Sequence, residues 1–419
     1  MLLPVLLQAC AVHQQKVNAL AEGLERSTPE ATLLSLQAIS PPERDRGQYL
    51  LNSGLLKSIT GDFEGANSDL QSAKAILNDL QAISVSENLG AALVNETLRS
   101  YDSSASERVL LHLLLSINYL MLDDLDAARV EVLQADVVMK ELAREDKPIG
   151  QLASAHYIAG LVYELGGELD DAMISYRKAE NIMALRNMPP PPALEKSLLS
   201  LSQRLGLDEE YKKYREQFTF AVKPNAPDAA EIIVIYWDGV VTSKRGNTLS
   251  VWAPTLGQAV SLALPYYPPS SYAENPLILT MAGQLHRTKT IEDIEALSRE
   301  DLDDESAAIY AMTLTRMVSK YKIVKSAGNQ NDNLGLFINI ITMLSESADT
   351  RSWNMLPSSI QLARFSLPAG EYSLPFPHHA GSQQAELAET KLAVSASEKI
   401  VLFVPGISQK IFSYTQVAP

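Results

Sequence analysis

Three stretches of the sequence repeat one spacing of small residues, and this spacing constrains the fold more than any other feature. In each stretch a small residue is followed by a second one 12 positions later and by a third one 7 positions after that: Gly54, Ala66 and Ala73; Ser116, Ala128 and Ala135; Gly160, Ala172 and Ala179. Apolar residues recur around them with helical periodicity. Small side chains at matching positions allow two successive helices to approach closely. The pattern therefore predicts pairs of packed helices within residues 11–222.

The third stretch, residues 156–179, is the most complete of the three. We expect Tyr163 and Tyr176 to fill the space around Gly160 and Ala172, and Gly167 to end the first helix of the pair. With these small and aromatic positions the stretch resembles the tetratricopeptide repeat, a unit of two helices. The three stretches start at residues 54, 116 and 160, so their offsets of 62 and 44 residues exceed the family's period of about 34. We therefore predict an irregular array.

The resemblance implies a protein that binds other proteins, because such arrays present an extended concave surface. The alternative is a plain bundle of helices without a groove. Residues 13–26, 32–39 and 194–218 are expected to form further helices at the ends of the array, where polar outer faces are needed.

Residues 223–230 are the predicted linker, since Pro224 and Pro227 stand among turn-forming residues and the periodicity changes beyond them. Residues 231–237 form an apolar β-branched run that is typical of a buried strand. Further strands are predicted at residues 277–281, 385–396 and 399–404, and helices at residues 307–324 and 334–344. We therefore predict an α-helical repeat solenoid, similar to tetratricopeptide arrays, followed by an α+β domain over residues 231–419. Each of the two is expected to have its own core.

Residues 360–367 alternate in polarity, and the sequence Pro368-Ala-Gly370 predicts a turn into a second strand over residues 371–376. This pattern resembles the strand–turn–strand hairpin of small β-sandwich modules. We expect Gly370 to adopt a positive φ and Tyr372 to fold back on the preceding strand. The second domain is therefore expected to contain β-sandwich-like hairpins.

The first ten residues are an apolar run that ends in Leu7-Gln8-Ala9-Cys10, which is typical of a secretory signal. The ending resembles the bacterial lipobox, in which the cysteine is acylated and becomes the first residue of the mature chain. Cys10 is the single cysteine of the sequence. We expect residues 1–10 to be a signal peptide and lipidation at Cys10, with outer-membrane anchoring facing the periplasm in a Gram-negative host. No Lys or Arg precedes the run, and the alternative is a buried helix with an incidental cysteine.

A second segment carries a family resemblance. Asp349-Thr-Arg351-Ser-Trp353, then Leu-Pro, Ala-Arg364 and Leu-Pro-Ala-Gly370, resembles a segment of bacterial envelope lipoproteins that contain tetratricopeptide repeats. The resemblance implies a helical first half, a β-containing second half and work in the cell envelope. Genes of this family tend to lie near those of lipoproteins that activate peptidoglycan synthases, so regulators of these synthases are candidate partners. The resemblance assigns no reaction to the protein.

Residue types that support catalysis or metal binding do not form a known motif in this sequence. The six histidines make no H-E-x-x-H pair, and no G-x-S-x-G, P-loop or G-x-G-x-x-G motif is present. His378 and His379 are either a metal-binding pair or part of a proline-flanked surface loop. One cysteine excludes a disulfide framework and a multi-thiolate metal site. We expect no enzyme activity, no cofactor and no metal, although the second domain leaves the question of activity open.

Asp349, Arg351, Trp353 and Arg364 form the most distinctive polar group. They are either a ligand pocket, with arginine forks and an indole platform, or an ion pair and a core indole that anchor the start of the hairpin. The Tyr- and Pro-rich residues 266–272 are either an edge that docks a partner or a packed connector.

The net charge is −15, from 35 basic and 50 acidic residues, which excludes a nucleic-acid partner in the absence of a basic face. The preferred hypothesis is a lipid-anchored envelope scaffold that binds another envelope protein through its helical array. The second is a protein that binds or processes peptidoglycan or polysaccharide, with a site around Trp237, Asp238, Asp349 and Arg351. The third is a component of a larger envelope machine, such as a secretion or flagellar assembly.

Overall fold

The computed structural model describes residues 3–84, 100–144, 147–218, 228–253, 258–328, 348–375, 389–408 and 410–416. Ten α-helices lie in the described part of the first half. Their bounds are α1 Leu3–Gly23, α2 Pro29–Gln37, α3 Arg46–Thr60, α4 Phe63–Ser84, α5 Ala105–Met121, α6 Leu125–Leu142, α7 Ala153–Leu165, α8 Leu169–Leu185, α9 Pro192–Arg204 and α10 Asp208–Gln217. Among the described helices we find none with the length and apolarity needed to cross a bilayer.

The helices pack as successive pairs, α3 with α4, α5 with α6, α7 with α8 and α9 with α10. The predicted helical pairs are thus confirmed, and a fourth pair follows them. A Cβ atom built on Gly160 of α7 lies 2.6 Å from the ring of Tyr176 on α8, and one on Gly54 of α3 lies 2.6 Å from Leu70 of α4. A side chain larger than a hydrogen atom has no room at either crossing.

The remaining small residues of the pattern are buried, and Tyr163 is 8% exposed. The buried small residues are Ala66, Ala73, Ala128, Ala135, Ala172 and Ala179. Helix α7 ends at Leu165, and Gly167 has a φ of +78° in the turn that follows. This left-handed conformation suits glycine and directs the chain into α8.

The second half contains eleven strands and one helix in its described residues. Their bounds are β1 Ala230–Asp238, β2 Arg245–Ala253, β3 Gln258–Tyr266, β4 Ile278–Met281, β5 Gln284–Arg287, β6 Lys289–Asp293, α11 Ile294–Gly328, β7 Ser359–Leu367, β8 Gly370–Pro375, β9 Glu389–Val394, β10 Lys399–Pro405 and β11 Phe412–Gln416. Five of the strands form a sheet in the order β11-β10-β1-β7-β6, and β2–β3, β4–β5 and β8–β9 form two-stranded ribbons. The predicted α+β class is confirmed.

The pairing of β7 and β8 differs from the predicted hairpin. Strand β7 pairs with β1 along its whole length on one side and with β6 along Ser359–Leu362 on the other, and β8 pairs with β9 instead. Among the described residues Gly370 is not one of the glycines with positive φ. The Tyr372 hydroxyl donates to the Pro368 carbonyl at 2.8 Å, so this side chain does fold back on the turn.

Both faces of the five-stranded sheet are buried. On one face Ile233, Ile235 and Trp237 of β1 join a core that also contains residues of the helices, whereas Ile232 and Val234 join a second core with the ribbons. This alternation follows the two-residue period of a strand. The helices and the sheet therefore share the larger core, whereas the second core lies wholly within the second half.

The first helix of each pair faces the sheet, and the second helix faces away from it. Helices α5, α7 and α9 contact β11, β6 and β7, and Gln48 of α3 donates to the Ser352 carbonyl at 2.7 Å. The second helices are joined to one another by ion pairs such as Lys74–Glu131 and Lys178–Asp136. The protein's own sheet therefore occupies the side of the array that the first helices form.

Candidate binding cleft at the junction of the two halves

A cleft of about 320 Å³ lies where the start of α5, the segment before β2, the end of β3 and helix α11 meet. We call it the junction cleft. Its lining residues are Ser100, Tyr101, Asp102, Ser103, Lys244, Pro265, Glu305, Ala308, Ile309, Met312, Asp349 and Arg351. A narrower continuation adds Ser104, Glu107, Tyr267, Ser298, Asp301 and Leu302. Both halves of the chain therefore build this site.

Asp301 fixes helix α11 against the start of α5. Its carboxylate accepts hydrogen bonds from the Ser104 hydroxyl at 2.6 Å, from the Ser106 amide at 2.9 Å and from the Ser106 hydroxyl at 3.1 Å. Burial raises the pKa of Asp301 to about 6, although these hydrogen bonds oppose the shift. A carboxylate at the first turn of a helix also interacts favourably with the helix dipole.

Glu107 closes the floor of the cleft. Its carboxylate accepts from the Trp353 amide at 2.6 Å, from the Tyr101 hydroxyl at 2.5 Å and from the Ser104 amide at 3.0 Å. The last contact completes a capping box with Ser104, which fixes the first turn of α5. The lining carboxylates Asp301 and Glu107 are thus held by the protein itself.

The structure brings two of the four predicted polar residues together in the cleft. The Arg351 guanidinium donates to both Asp349 oxygens, at 2.9 and 2.5 Å, and to the Asp45 carboxylate at 2.8 Å. Burial alone would raise the pKa of Asp349, but the paired Arg351 lowers it below its ordinary range. Trp353 is 1% exposed and packs in the core, so its indole is not a platform for a ligand.

Arg364 belongs to a different place, the interface between α7 and the sheet. Its guanidinium donates to Glu164 of α7 and Glu231 of β1 at 2.7 to 2.9 Å, and to the Ser197 hydroxyl at 2.8 Å. The Lys399 ammonium adds a 2.7 Å contact to Glu164. Arg364 therefore does not share a site with Asp349 and Arg351, which corrects the grouping made in the sequence analysis. Proximity in sequence did not bring these residues together.

Asp238 and Trp237, the other residues of the second hypothesis, lie at the end of β1. Asp238 accepts from the Tyr272 hydroxyl at 2.6 Å, from the Asn275 amide at 2.9 Å and from the Tyr236 hydroxyl at 3.2 Å. Trp237 is 4% exposed. This network and the Arg351 network have different members, so the four residues do not form the single site that this hypothesis needs.

The segment 266–272 is packed at Tyr267 and Tyr272 and exposed at Tyr266 and at residues 269–271. Arg299 of α11 donates to the carbonyls of Tyr267 and Pro268, at 3.1 and 2.7 Å, which ties the segment to the helix. Tyr267 lines the cleft, whereas Tyr266 is 42% exposed. The segment therefore forms a rim of the junction cleft.

Lys244, Glu305 and Ser103 line the cleft without a hydrogen-bond or ion-pair contact within the described residues. Ser103 is 9% exposed, so its hydroxyl is nine-tenths buried. Burial alone would lower the pKa of Lys244, but Tyr267, Asp349 and Glu107 raise it above its ordinary value, so the ammonium stays charged. In contrast to Asp301, Glu107 and Arg351, these groups have no hydrogen-bond partner in the described part of the protein and can bind a ligand.

Sequence reasoning missed these three residues, because they come from segments far apart in the chain and fit no motif. One signal was available on helix α11. Asp301, Glu305, Ile309 and Met312 follow one another at spacings of four, four and three residues, which places them on one face of a helix. That face is half acidic and half apolar, and it is the face that lines the cleft.

Metal binding finds no support in the described part of the chain, where no group of three or more His, Cys, Asp or Glu side chains could hold an ion. His378 and His379 lie outside the described residues.

The fold defines a helical-repeat protein closed on one side by an α+β half. No protein-family model and no curated protein matches the sequence. Among solved structures, MamA is 19% identical with a TM-score of 0.30 over 45% of this chain and 85% of MamA. The apo form of RapI is 12% identical with a TM-score of 0.34, over 45% of this chain and 47% of RapI.

Aspartyl phosphate phosphatase F from Bacillus subtilis is 12% identical with a TM-score of 0.33, over 47% of this chain and 46% of that protein. This chain therefore spans about half the length of RapI and of the phosphatase. Likenesses of this degree transfer no function.

Proposed function

We propose that this protein is an interaction scaffold of the bacterial cell envelope, and that a segment of a partner protein binds in the junction cleft. The observation that carries the proposal is the presence of Lys244, Glu305 and Ser103 in an open cleft without partners among the described residues. Charged and polar groups of this kind fix the orientation of a ligand in a binding site.

The sheet covers one side of the helical array, and this supports the junction cleft as the place where a partner binds. A helical array commonly binds its partner on an extended concave surface. In this protein the sheet already packs against the first helices, through α9 with β7 and α7 with β6. A partner that does not displace the sheet needs another surface, and the cleft is open where the array and the second half meet.

The contacts of the lining carboxylates favour binding over catalysis. General acid–base work needs a carboxyl group that is free to exchange a proton with a substrate. Asp301, Glu107 and Asp349 are instead held by serine, tyrosine and arginine side chains or by backbone amides. Glu305 lacks such contacts, and burial raises its pKa to about 7, but glycoside hydrolysis ordinarily uses a pair of free carboxyl groups. We therefore prefer the scaffold to a glycan-processing enzyme.

Lipid anchoring at Cys10 is the second part of the proposal. Residues Leu3–Gly23 are helical, and from His13 onward this helix is part of the folded body: Val17 and Ala21 are each 1% exposed. An acylated Cys10 would stand three positions before His13. Anchoring there would hold the helical array directly against the bilayer, without a long tether.

A photo-crosslinking amino acid at Ala308, an exposed residue of the cleft, tests the site in living cells. We expect a discrete protein adduct at Ala308 that disappears when Lys244→Glu is added. The matched control is the same amino acid at Glu209, which is exposed on α10. No adduct at Ala308, or the same adduct at both positions regardless of Lys244, would show that the cleft does not hold a partner.

A further inference from the structure

We infer that the junction cleft recognises a short peptide element with a cationic group on one side of an apolar group and a carboxylate on the other. This inference rests on the proposed function and specifies its ligand. It follows from three properties of the cleft, namely a donor pair, an unpaired carboxylate and an apolar wall that adjoins this carboxylate.

The donor pair is Lys244 and Ser103. Both line the cleft, and neither has a hydrogen-bond or ion-pair contact in the described parts of the chain. A buried hydroxyl without a partner is unfavourable, so a ligand atom that accepts its hydrogen bond stabilises the protein. An ammonium and a hydroxyl together suit a carboxylate, since hydrogen bonds to charged groups are stronger than neutral ones.

The unpaired carboxylate is Glu305 on helix α11. It is exposed in the cleft, and its electrostatic neighbours are Lys244 and the acidic residues Asp301, Glu107 and Asp102. The lining as a whole has five carboxylates, those of Asp102, Glu107, Asp301, Glu305 and Asp349, and two cations, those of Lys244 and Arg351. With all of them ionised the formal charge is −3, which attracts a cationic group. Burial raises the pKa of Glu305 to about 7, so its carboxyl group is partly protonated near neutral pH, and a cationic group bound beside it would favour the ionised form.

The apolar wall is formed by Ala308, Ile309 and Met312, one helical turn beyond Glu305. The cavity of about 320 Å³ is at the lower end of the range of ligand pockets, roughly 300–1,000 Å³. It accommodates an apolar side chain with its flanking charges and is small for a folded domain or a long helix.

A ligand that carries only one of the two charges does not fit these observations. A purely anionic ligand would be repelled by the net charge of the lining, and a purely cationic one would leave Lys244 and Ser103 without partners. A ligand with both charges satisfies the three groups at once. The two charges can come from the side chains of a partner's segment or from the termini of a free dipeptide.

Isothermal titration of the full-length protein carrying Cys10→Ala, with synthetic peptides as probes, tests this inference. The probes are acetyl-Lys-Leu-Glu-amide, its two singly charged analogues with Gln in place of Lys or of Glu, the neutral acetyl-Gln-Leu-Gln-amide, and the free dipeptide Ala-Leu. We expect the doubly charged blocked peptide to bind about tenfold more tightly than either singly charged one, which corresponds to about 1.4 kcal/mol. Binding by Ala-Leu instead would assign the charges to free termini.

Substitutions in the cleft should show which cleft residue recognises each charged end of the peptide. Lys244→Met should abolish the preference for Glu over Gln in the peptide, and Glu305→Gln should abolish the preference for Lys over Gln. Glu209→Gln, at an exposed residue of α10, is the control and should change neither. Equal affinity for charged and neutral peptides, or binding by none of them, would overturn the inference.

The two proposals fail in different ways. If no peptide binds while the Ala308 adduct persists and depends on Lys244, the scaffold function stands and the ligand chemistry is wrong. If Ala-Leu binds and no protein adduct forms, the cleft is a site for small zwitterions and the scaffold function is wrong.

Discussion

The guanidinium of Arg364 on β7 donates to both carboxylate oxygens of Glu164 on α7, at 2.8 and 2.9 Å, and both side chains are buried. Glu231 of β1 accepts from the same guanidinium, and Lys399 of β10 donates to Glu164. Burial alone would raise the pKa of Glu164, but Arg364 and Lys399 lower it, so the carboxylate stays ionised. One buried charge network thus joins the helical array to three strands of the sheet.

Replacing Arg364 by methionine should destabilise the whole protein. Glu164 and Glu231 would lose their main partner while remaining buried, and breaking a buried ion pair in this way costs about 3–5 kcal/mol. The free energy of unfolding at pH 7, from urea denaturation, measures the effect. The exposed Arg26→Met should change it by less than about 0.5 kcal/mol. An Arg364→Met variant as stable as the wild type would mean that packing alone holds the two halves together.

The stability of the protein should depend on Glu292 between pH 5 and 7. Its carboxylate accepts from the amide and hydroxyl of Ser154 at the start of α7, and burial raises its pKa to about 7. The folded state therefore holds a proton that the unfolded state releases above about pH 4.3. Its contribution to the free energy of unfolding is complete at low pH and falls as the pH rises towards 7, by at most about 1.4 kcal/mol per pH unit.

Glu292→Gln removes this titration, so the difference in unfolding free energy between variant and wild type should grow in favour of the variant from pH 5 to pH 7. The difference is the proper readout, because burial lowers the pKa of His156 to about 4 and this residue acts with the opposite sign in the same range. The exposed Glu209→Gln serves as control. A difference that is constant with pH would show that Glu292 is ionised throughout.

Gly160→Ala should weaken the third helical pair. The new Cβ would lie 2.6 Å from the ring of Tyr176, which is fully buried and whose hydroxyl donates to Glu164, so the ring cannot move aside. Overpacking of this kind costs about 1–3 kcal/mol. The control is Gly23→Ala, because a Cβ atom at this position has no other atom within 4 Å. This variant should melt at the wild-type temperature or slightly above it. Equal melting temperatures for the two variants would contradict this packing.

A fragment ending at residue 218 should be helical without being a stable monomer. The sequence favoured an independent helical domain, but residues of α3, α5, α7 and α9 share a core with the sheet. Without the sheet these apolar surfaces face water, and we expect helical circular dichroism together with self-association or binding of a hydrophobic dye. A monodisperse fragment that unfolds as cooperatively as the full chain would show that the array is stable on its own.

Cys10→Ala should release the protein from the membrane fraction of cells. Stable anchoring needs at least two acyl chains, and the proposed modification of Cys10 supplies them. Fractionation with detection of the lipid by mass spectrometry provides the measurement. Wild-type protein found in the soluble fraction with an unmodified Cys10 would refute the anchor.

The helical pairs could be predicted from the sequence because their determinants are local: Gly160, Ala172 and Ala179 lie within twenty residues of one another. The sheet could be predicted only in part, since β1 and β10 are recognisable as apolar runs but their pairing is not. Strand β6 has too few apolar residues to be recognised, and the turn residues before Gly370 suggested that β8 pairs with β7, whereas β8 pairs with β9.

The cleft could not be predicted for a related reason. Asp349 and Arg351 are two positions apart and their pairing is a local property, whereas Lys244, Ser103 and Glu305 meet only when three distant segments pack. Arg364 shows the same limit, because Glu164 lies 200 positions earlier in the chain.

The parallel pairing of β1 with β10 has a consequence for the order of folding. Glu231 is paired with Lys399, 168 positions further along the chain, so the central strand of the sheet has an open edge until almost the entire polypeptide is present. Contacts between such distant residues slow folding, and an unpaired strand edge promotes aggregation while it persists. During synthesis the helices therefore emerge long before the strands that cover them, and a chain truncated before residue 399 should depend on a chaperone that protects its apolar surfaces.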